Sequence, residues 1–334
     1  MRGPLASSTL RTVGIVGLLA FCSLALSAAA IAVSAHSSRT AHRSHVVRER
    51  VGPADTENGC PILPADNPLN QEVAGLPVSP HSQQYVESIG LSAHLHPDFG
   101  TNPSYGIPYT VVGEAQPKVP IKFTKYKSES EPGPYPIPLG APIEGGGKRG
   151  HGDKHVLVMQ EGTCMLYELY KAAQKGEGWK AAGGARFDLR SDALRPEGWT
   201  SADAAGLPIF PLLVRYPQVA SGQIDHALRV TVPDSQRGYI HPATHFASSS
   251  TDPDLPPMGL RLRLKASYSL EGFSGQALVI MQALKRYGLI VADNGSPWYI
   301  TGAPNPSWNE DSLAQLKQVP GSAFEAVESG PIIN

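Results

Sequence analysis

Proline and glycine punctuate this chain from the end of its first fifty residues to its last few. The 31 prolines and 34 glycines make up almost a fifth of the 334 residues. Both residues break helices, proline by removing a backbone donor and glycine by its backbone entropy. A chain punctuated this way favours many short strands joined by turns over a helical bundle. The expected fold is mainly β, an antiparallel sandwich or jelly-roll-like domain, with one or two helices near the C-terminus. Hydrophobic residues, at 41%, suffice for a sizeable core. The formal charge of −1 provides no basic excess for nucleic acid.

The N-terminus reads as a targeting segment. Arg2 and Arg11 precede an apolar or small run over residues 13–35, and Val33 and Ala35 fit the small positions before a cleavage site. Residues 1–35 are read as a signal peptide, with an uncleaved membrane anchor as the alternative, because the run is long enough to span a bilayer. Residues 36–59 are polar and read as a flexible linker, and residues 60–334 as one globular domain. Cys22 leaves with the leader. Cys60 and Cys164 then remain, and two cysteines in an exported chain suggest one disulfide; two separate buried thiols are the alternative.

Periodicity places the elements. Residues 82–89, 276–287 and 309–319 carry helical spacing. Residues 107–112 and 119–126 read as strands, and residues 129–147 as a loop dense in proline and glycine. Residues 156–159 and 164–170 form a hairpin, and 171–178 a polar connection. Residues 185–189 and 209–215 read as further strands, and 289–292 with 298–301 as a second hairpin.

The strand expected to organise the rest starts at Gln223. Alternation puts Ile224, His226, Leu228, Val230 and Val232 on one face, and Asp225 and Arg229 on the other. His226 is then either a core histidine or a site base whose burial lowers its pKa. The loop that follows carries His241 and His245. Asp203 lies in a stretch of small residues beside Trp199, and Asp293 lies in an Asp-Asn-Gly-Ser turn. These are catalytic carboxylates or turn chemistry. Residues 260–270 alternate strongly, so Arg261, Arg263 and Lys265 share one face about 7 Å apart. That row fits an acidic polysaccharide or, more simply, a solvated strand face. Trp199 and Trp298 are candidate sugar platforms. His96 with Asp98, and Asp153 with His155, repeat alternating patterns that can suit a divalent metal, though incidental loop polarity explains them too. His151 belongs to the second pattern. A Gly-x-Ser-x-Gly elbow, a His-Glu-x-x-His helix and a phosphate-binding Gly-Lys-Ser/Thr loop are all missing from the sequence.

The stretches PADNPLN, LHPDFG, WTSADAAGLPI, HALR, PPMGLRLRLKAS and YGLIVADNGSPWYITGAP resemble a group of exported bacterial proteins of no established activity. The resemblance covers most of the chain after Cys60. It implies one exported domain and carries no catalytic residues across. The functional expectation is a protein acting on polysaccharide or cell-envelope glycan. As a hydrolase it would use Asp203 and Asp293. As a uronate lyase it would use His226 or His245 as base and the Arg261–Arg263–Lys265 row to neutralise a carboxylate. The alternatives are a non-catalytic carbohydrate-binding or cell-surface module and a metal-dependent hydrolase. Membrane contact is expected only through an uncleaved N-terminal segment.

Overall fold

A computed structural model describes residues 55–147 and 152–334. The expected leader, most of the expected linker, and His151 lie outside the described residues. In chain order the elements are β1 (Thr56–Glu57), β2 (Cys60–Pro61), α1 (Ser82–Ile89), β3 (His96–Asp98), β4 (Tyr109–Val112) and β5 (Ile121–Phe123). There follow β6 (Val156–Gln160), β7 (Met165–Tyr170), β8 (Ala173–Lys175), β9 (Gly178–Ala181) and β10 (Gly183–Asp188). The C-terminal half holds α2 (Tyr216–Ser221), β11 (Leu228–Val232), β12 (Arg261–Leu264), α3 (Gly275–Arg286), β13 (Leu289–Asn294), β14 (Tyr299–Thr301), α4 (Glu310–Leu316) and β15 (Phe324–Ala326). The fold is mainly β.

The strands form four sheets. A six-stranded sheet runs β15-β12-β13-β11-β14-β3, and a four-stranded sheet runs β10-β7-β6-β4. A three-stranded sheet, β5-β9-β8, and the β1–β2 pair complete the set. Pairing is mixed: β11 with β13, β14 with β3, β4 with β6 and β5 with β9 are parallel.

Alternation in β6 and β7 divides the core. Leu157, Met159 and Leu166 join the larger apolar cluster that also holds β11–β13. Val156, Val158, Tyr167 and Leu169 face the other way, onto Trp179 and Ala181 of β9. The four-stranded sheet is thus buried on both faces, which is why its strands read as near-continuous apolar runs. The Cys60–Cys164 disulfide ties the N-terminal arm to the start of β7, with Cα atoms 5.4 Å apart.

The expected helices are all present. In α4 the Asn309 side chain accepts the Ser312 N–H and caps the first turn. Beyond α3, Gly288 has a φ of +67°, and a Cβ there would meet the Leu262 carbonyl at 2.1 Å.

Five expectations change, the first being the antiparallel pairing, which is mixed here with four parallel strand pairs. The central strand begins at Leu228, because the Ala227 N–H is taken by the Leu69 carbonyl and residues 223–227 follow that turn instead of a sheet. Within the strand expected at 209–215, Phe210–Leu212 form a tight helical turn whose start is held by the Ile209 and Phe210 N–H groups donating to the buried Glu168 carboxylate, and only Val214 pairs, bridging to Gly302. β14 pairs with β11 and β3 and makes no hairpin with β13. The stretch read as a polar connection at 171–178 begins a real hairpin, β8–β9.

Candidate functional site

Asp203, Asp293, His245 and Asp153 line one cavity of about 360 Å³, together with Tyr126 and Tyr170. Three of the four residues expected to be catalytic therefore converge. Local chemistry sets each of them. The Asp203 backbone is fixed by Thr200 and Ser201, whose hydroxyls donate to its carbonyl, while Ser201 Oγ accepts its N–H. Asp293 sits near the end of β13, where its Oδ1 accepts the Asn294 N–H at 2.8 Å. His245 donates Nδ1–H to the Ala204 carbonyl at 2.8 Å, which leaves Nε2 as the ring's acceptor.

Arg229 of β11 stands behind these groups. Its Nε and Nη2 donate to the two oxygens of Asp203 at 2.7 and 2.9 Å, and Nη1 donates to Thr301 Oγ1 at 2.9 Å. Nη2 also reaches Asp293 Oδ2 at 3.2 Å. The Asp203 side chain is 0% exposed and that of Asp293 is 22% exposed. One carboxylate is buried against the guanidinium and the Ala204 N–H, and the other stands at the cavity edge. Burial, reinforced by the Asp203 charge and opposed by Arg229, pushes the Asp293 carboxyl up to about 7.

More charges lie beneath. His155 is buried, with Nδ1 2.8 Å from Glu144 Oε2 and Nε2 3.0 Å from the Ala202 carbonyl. Both ring nitrogens face acceptors, so the imidazolium fits. Burial opposes that charge, but Glu144 outweighs it and raises His155 to about 9. Burial also raises Asp98, with Glu144 adding to the shift. Glu168, 0% exposed, is pushed up to about 7 by burial although two backbone N–H groups support its charge. Of these shifted carboxyls only Asp293 lines the cavity, where a value near neutrality lets it hold and pass a proton.

The remaining expected site residues fall elsewhere. His226 is buried, donates Nδ1–H to the Ala227 carbonyl, and is pushed down to about 4 by burial and by Arg215. It is a core histidine, placed there by the loop after α2. Arg261 and Arg263 are buried as well: Arg261 donates to the carbonyls of Pro68, Gln71 and Tyr287, and Arg263 to those of Val73, Ala74 and Leu76. Lys265 donates to the Ser322 carbonyl. The cation row clamps the N-terminal arm and the C-terminal turn and presents no face to a ligand. Trp298 is 0% exposed, stacked on Phe324 at 4.8 Å, with Nε1–H on the Gly90 carbonyl. It is a core residue. Trp199 is half-buried, and the Arg195 guanidinium lies 5.6 Å from its ring.

The metal pattern separates. His96 stacks on Tyr299 at 4.0 Å on an edge strand, while His155 pairs with Glu144. Among the described residues no group of three His, Cys, Asp or Glu side chains could hold a metal ion. His241 pairs with Glu197 at 2.7 Å on the surface.

Sequence reasoning missed Arg229 as the hub, and Glu144 and Glu168 altogether. The signal for Glu168 was present: a lone charge inside Leu-Tyr-Glu-Leu-Tyr is costly to bury without a task. Tyr126 and Tyr170 carried no local signal. No family model, curated protein or solved structure matches the chain.

Proposed function

We propose that the chain is an exported glycoside hydrolase that takes neutral sugar units of a polysaccharide or cell-envelope glycan into the Asp293 cavity. The single observation that carries this is Asp293 itself: a carboxyl raised to about 7, at the edge of a cavity that also holds a second carboxylate, Asp153, and two tyrosine rings. A general acid works best with a pKa near the working pH. Asp293 protonates the leaving glycosidic oxygen. Asp153 activates the attacking water, and His245 Nε2 accepts a sugar hydroxyl. Asp203 and Arg229 are positioning residues: Arg229 holds Asp293 in place, and the Asp203 charge helps keep it in its protonated range. Hydrolysis needs an acid and a base carboxylate, and this pair replaces the Asp203–Asp293 pair read from the sequence.

Lyase chemistry lacks support here. Its cation row lies elsewhere, and no lysine or arginine lines the cavity among the described residues. Export rests on the leader pattern and on the disulfide, which persists in oxidising compartments. A sandwich-like frame with a loop-built groove goes with this reading, supported by the single core shared by the six- and four-stranded sheets.

The test is reducing-end release from a panel of neutral polysaccharides. Release is expected from at least one, falling above about pH 7 and lost, by about a hundredfold or more, in Asp293→Asn and Asp153→Asn. The non-catalytic binding module is the second reading, favoured by the half-buried Trp199 ring. Saturable glycan binding with no release, unchanged by Asp293→Asn, would replace the hydrolase with that module. Products absorbing in the ultraviolet would mean elimination instead.

A further inference from the structure

A second cavity, of about 590 Å³, lies on the other side of the Asp153–Lys154 segment. Asp153 lines the first cavity and Lys154 the second. Four prolines, Pro103, Pro108, Pro142 and Pro304, contribute to the wall, with Trp179 of β9. The volume suits a small organic molecule and the walls suit an apolar one.

Two lining residues carry a donor with no acceptor among the described residues, and of the two only Lys154 reaches solvent. Trp179 is 2% exposed, and its Nε1–H has no hydrogen-bond partner. Buried polar groups in folded proteins are satisfied with few exceptions, so an orphaned one calls for a partner. Lys154 is half-buried, has a φ of +54°, and makes no ion pair among the described residues. Among the described residues no Asp or Glu lines the cavity, and Lys154 contributes a positive charge. A left-handed backbone at a non-glycine residue is uncommon and marks a position held by its surroundings.

From the apolar walls and the unpaired cation, we infer that this cavity binds a small amphipathic carboxylate, an aliphatic or aryl body ending in one carboxylate. The body packs against the prolines and the Trp179 ring, and the carboxylate accepts from Lys154 Nζ. A sugar fits this cavity less well, because its hydroxyls would find few polar partners. The site is independent of the glycan chemistry proposed for the first cavity.

Calorimetric titration of the full chain with octanoate and with octan-1-ol tests this. Octanoate is expected to saturate one site per chain, with octan-1-ol at least about tenfold weaker, since a charge-assisted bond to lysine is lost. Lys154→Gln should weaken octanoate about tenfold and leave octan-1-ol unchanged. Trp179→Phe keeps the ring and should cost octanoate less. Ala173→Trp, at an exposed lining position of β8, should abolish binding of both by filling the space. No saturable octanoate binding, or equal binding of acid and alcohol that Lys154→Gln does not alter, overturns the inference. A thermal midpoint for each variant establishes that loss of binding is not loss of fold.

Discussion

Two arginines in the six-stranded sheet, both nearly excluded from solvent, have opposite surroundings. Arg229 of β11 is held by two carboxylates and a hydroxyl. Arg261 of β12 is held by three backbone carbonyls and no carboxylate, with its Nε unpaired. Burial works against the charge on both. Asp203, then Asp293, more than reverse this for Arg229, whose pKa rises, whereas Arg261 is pushed down to about 10. One arginine organises a cavity. The other closes the ends of backbone segments from distant parts of the chain. A buried cation beside carboxylates sets the charge at a cavity edge, while one among carbonyls joins backbone segments.

Removing the partner of Arg229 should have the largest effect. Asp203→Ala leaves a buried guanidinium short of its main counter-ion and should cost about 3–5 kcal/mol in chemical denaturation. Adding Arg229→Met to it should recover part of that loss. If the double variant is no more stable than Asp203→Ala, the two residues are not energetically paired. The arm that Arg261 clamps is also held by the disulfide. Replacing Cys60 and Cys164 together by alanine should cost about 2–5 kcal/mol, with the arm between residues 55 and 76 becoming the first segment to exchange amide hydrogens.

Arg261→Met should cost less, about 1–3 kcal/mol, because the carbonyls it leaves are neutral and the desolvated charge goes with it. Activity on glycan should survive that change. A loss equal to that of Arg229→Met would erase the distinction drawn between the two arginines.

The smallest effects concern pH. Asp293 and Glu168 have ordinary values of 3.8 and 4.5 and are held at about 7 in the fold. The folded chain therefore binds protons that the unfolded chain releases. Stability from these groups is complete below their ordinary values and is lost as pH rises through about 7. His155, raised from 6.5 to about 9, has the same sign and loses its contribution as pH rises through about 9. Glu144, lowered by His155 against the pull of burial, acts in the acid range, where stability is lost as pH falls through its folded value. Thermal midpoints should fall from mildly acidic to alkaline pH, and Asp293→Asn should flatten the slope through neutrality. A profile rising over that interval would contradict the assignment of protonated carboxyls.

The sequence by itself determined what depends on neighbours within a few residues. The spacing of apolar residues fixed α1, α3 and α4, and the Val156–Tyr170 hairpin followed from two apolar runs around Glu161-Gly162. The count of cysteines pointed to the Cys60–Cys164 bond. The loops holding Asp203, Asp293 and His245 were visible as small and polar interruptions between strands. Only the tertiary structure decided which charges meet. Residues 68–76 cover β12 from nearly two hundred positions away, and that contact turns an alternating strand into one buried on both faces. The same reach brings Asp203 and Asp293 together at Arg229, through the parallel pairing of β11 with β13 and the Ala205 N–H bond to the Ala292 carbonyl. Alternation assigns a side chain to a face, but burial of that face belongs to whatever packs on it, and here distant segments of the chain supply the cover.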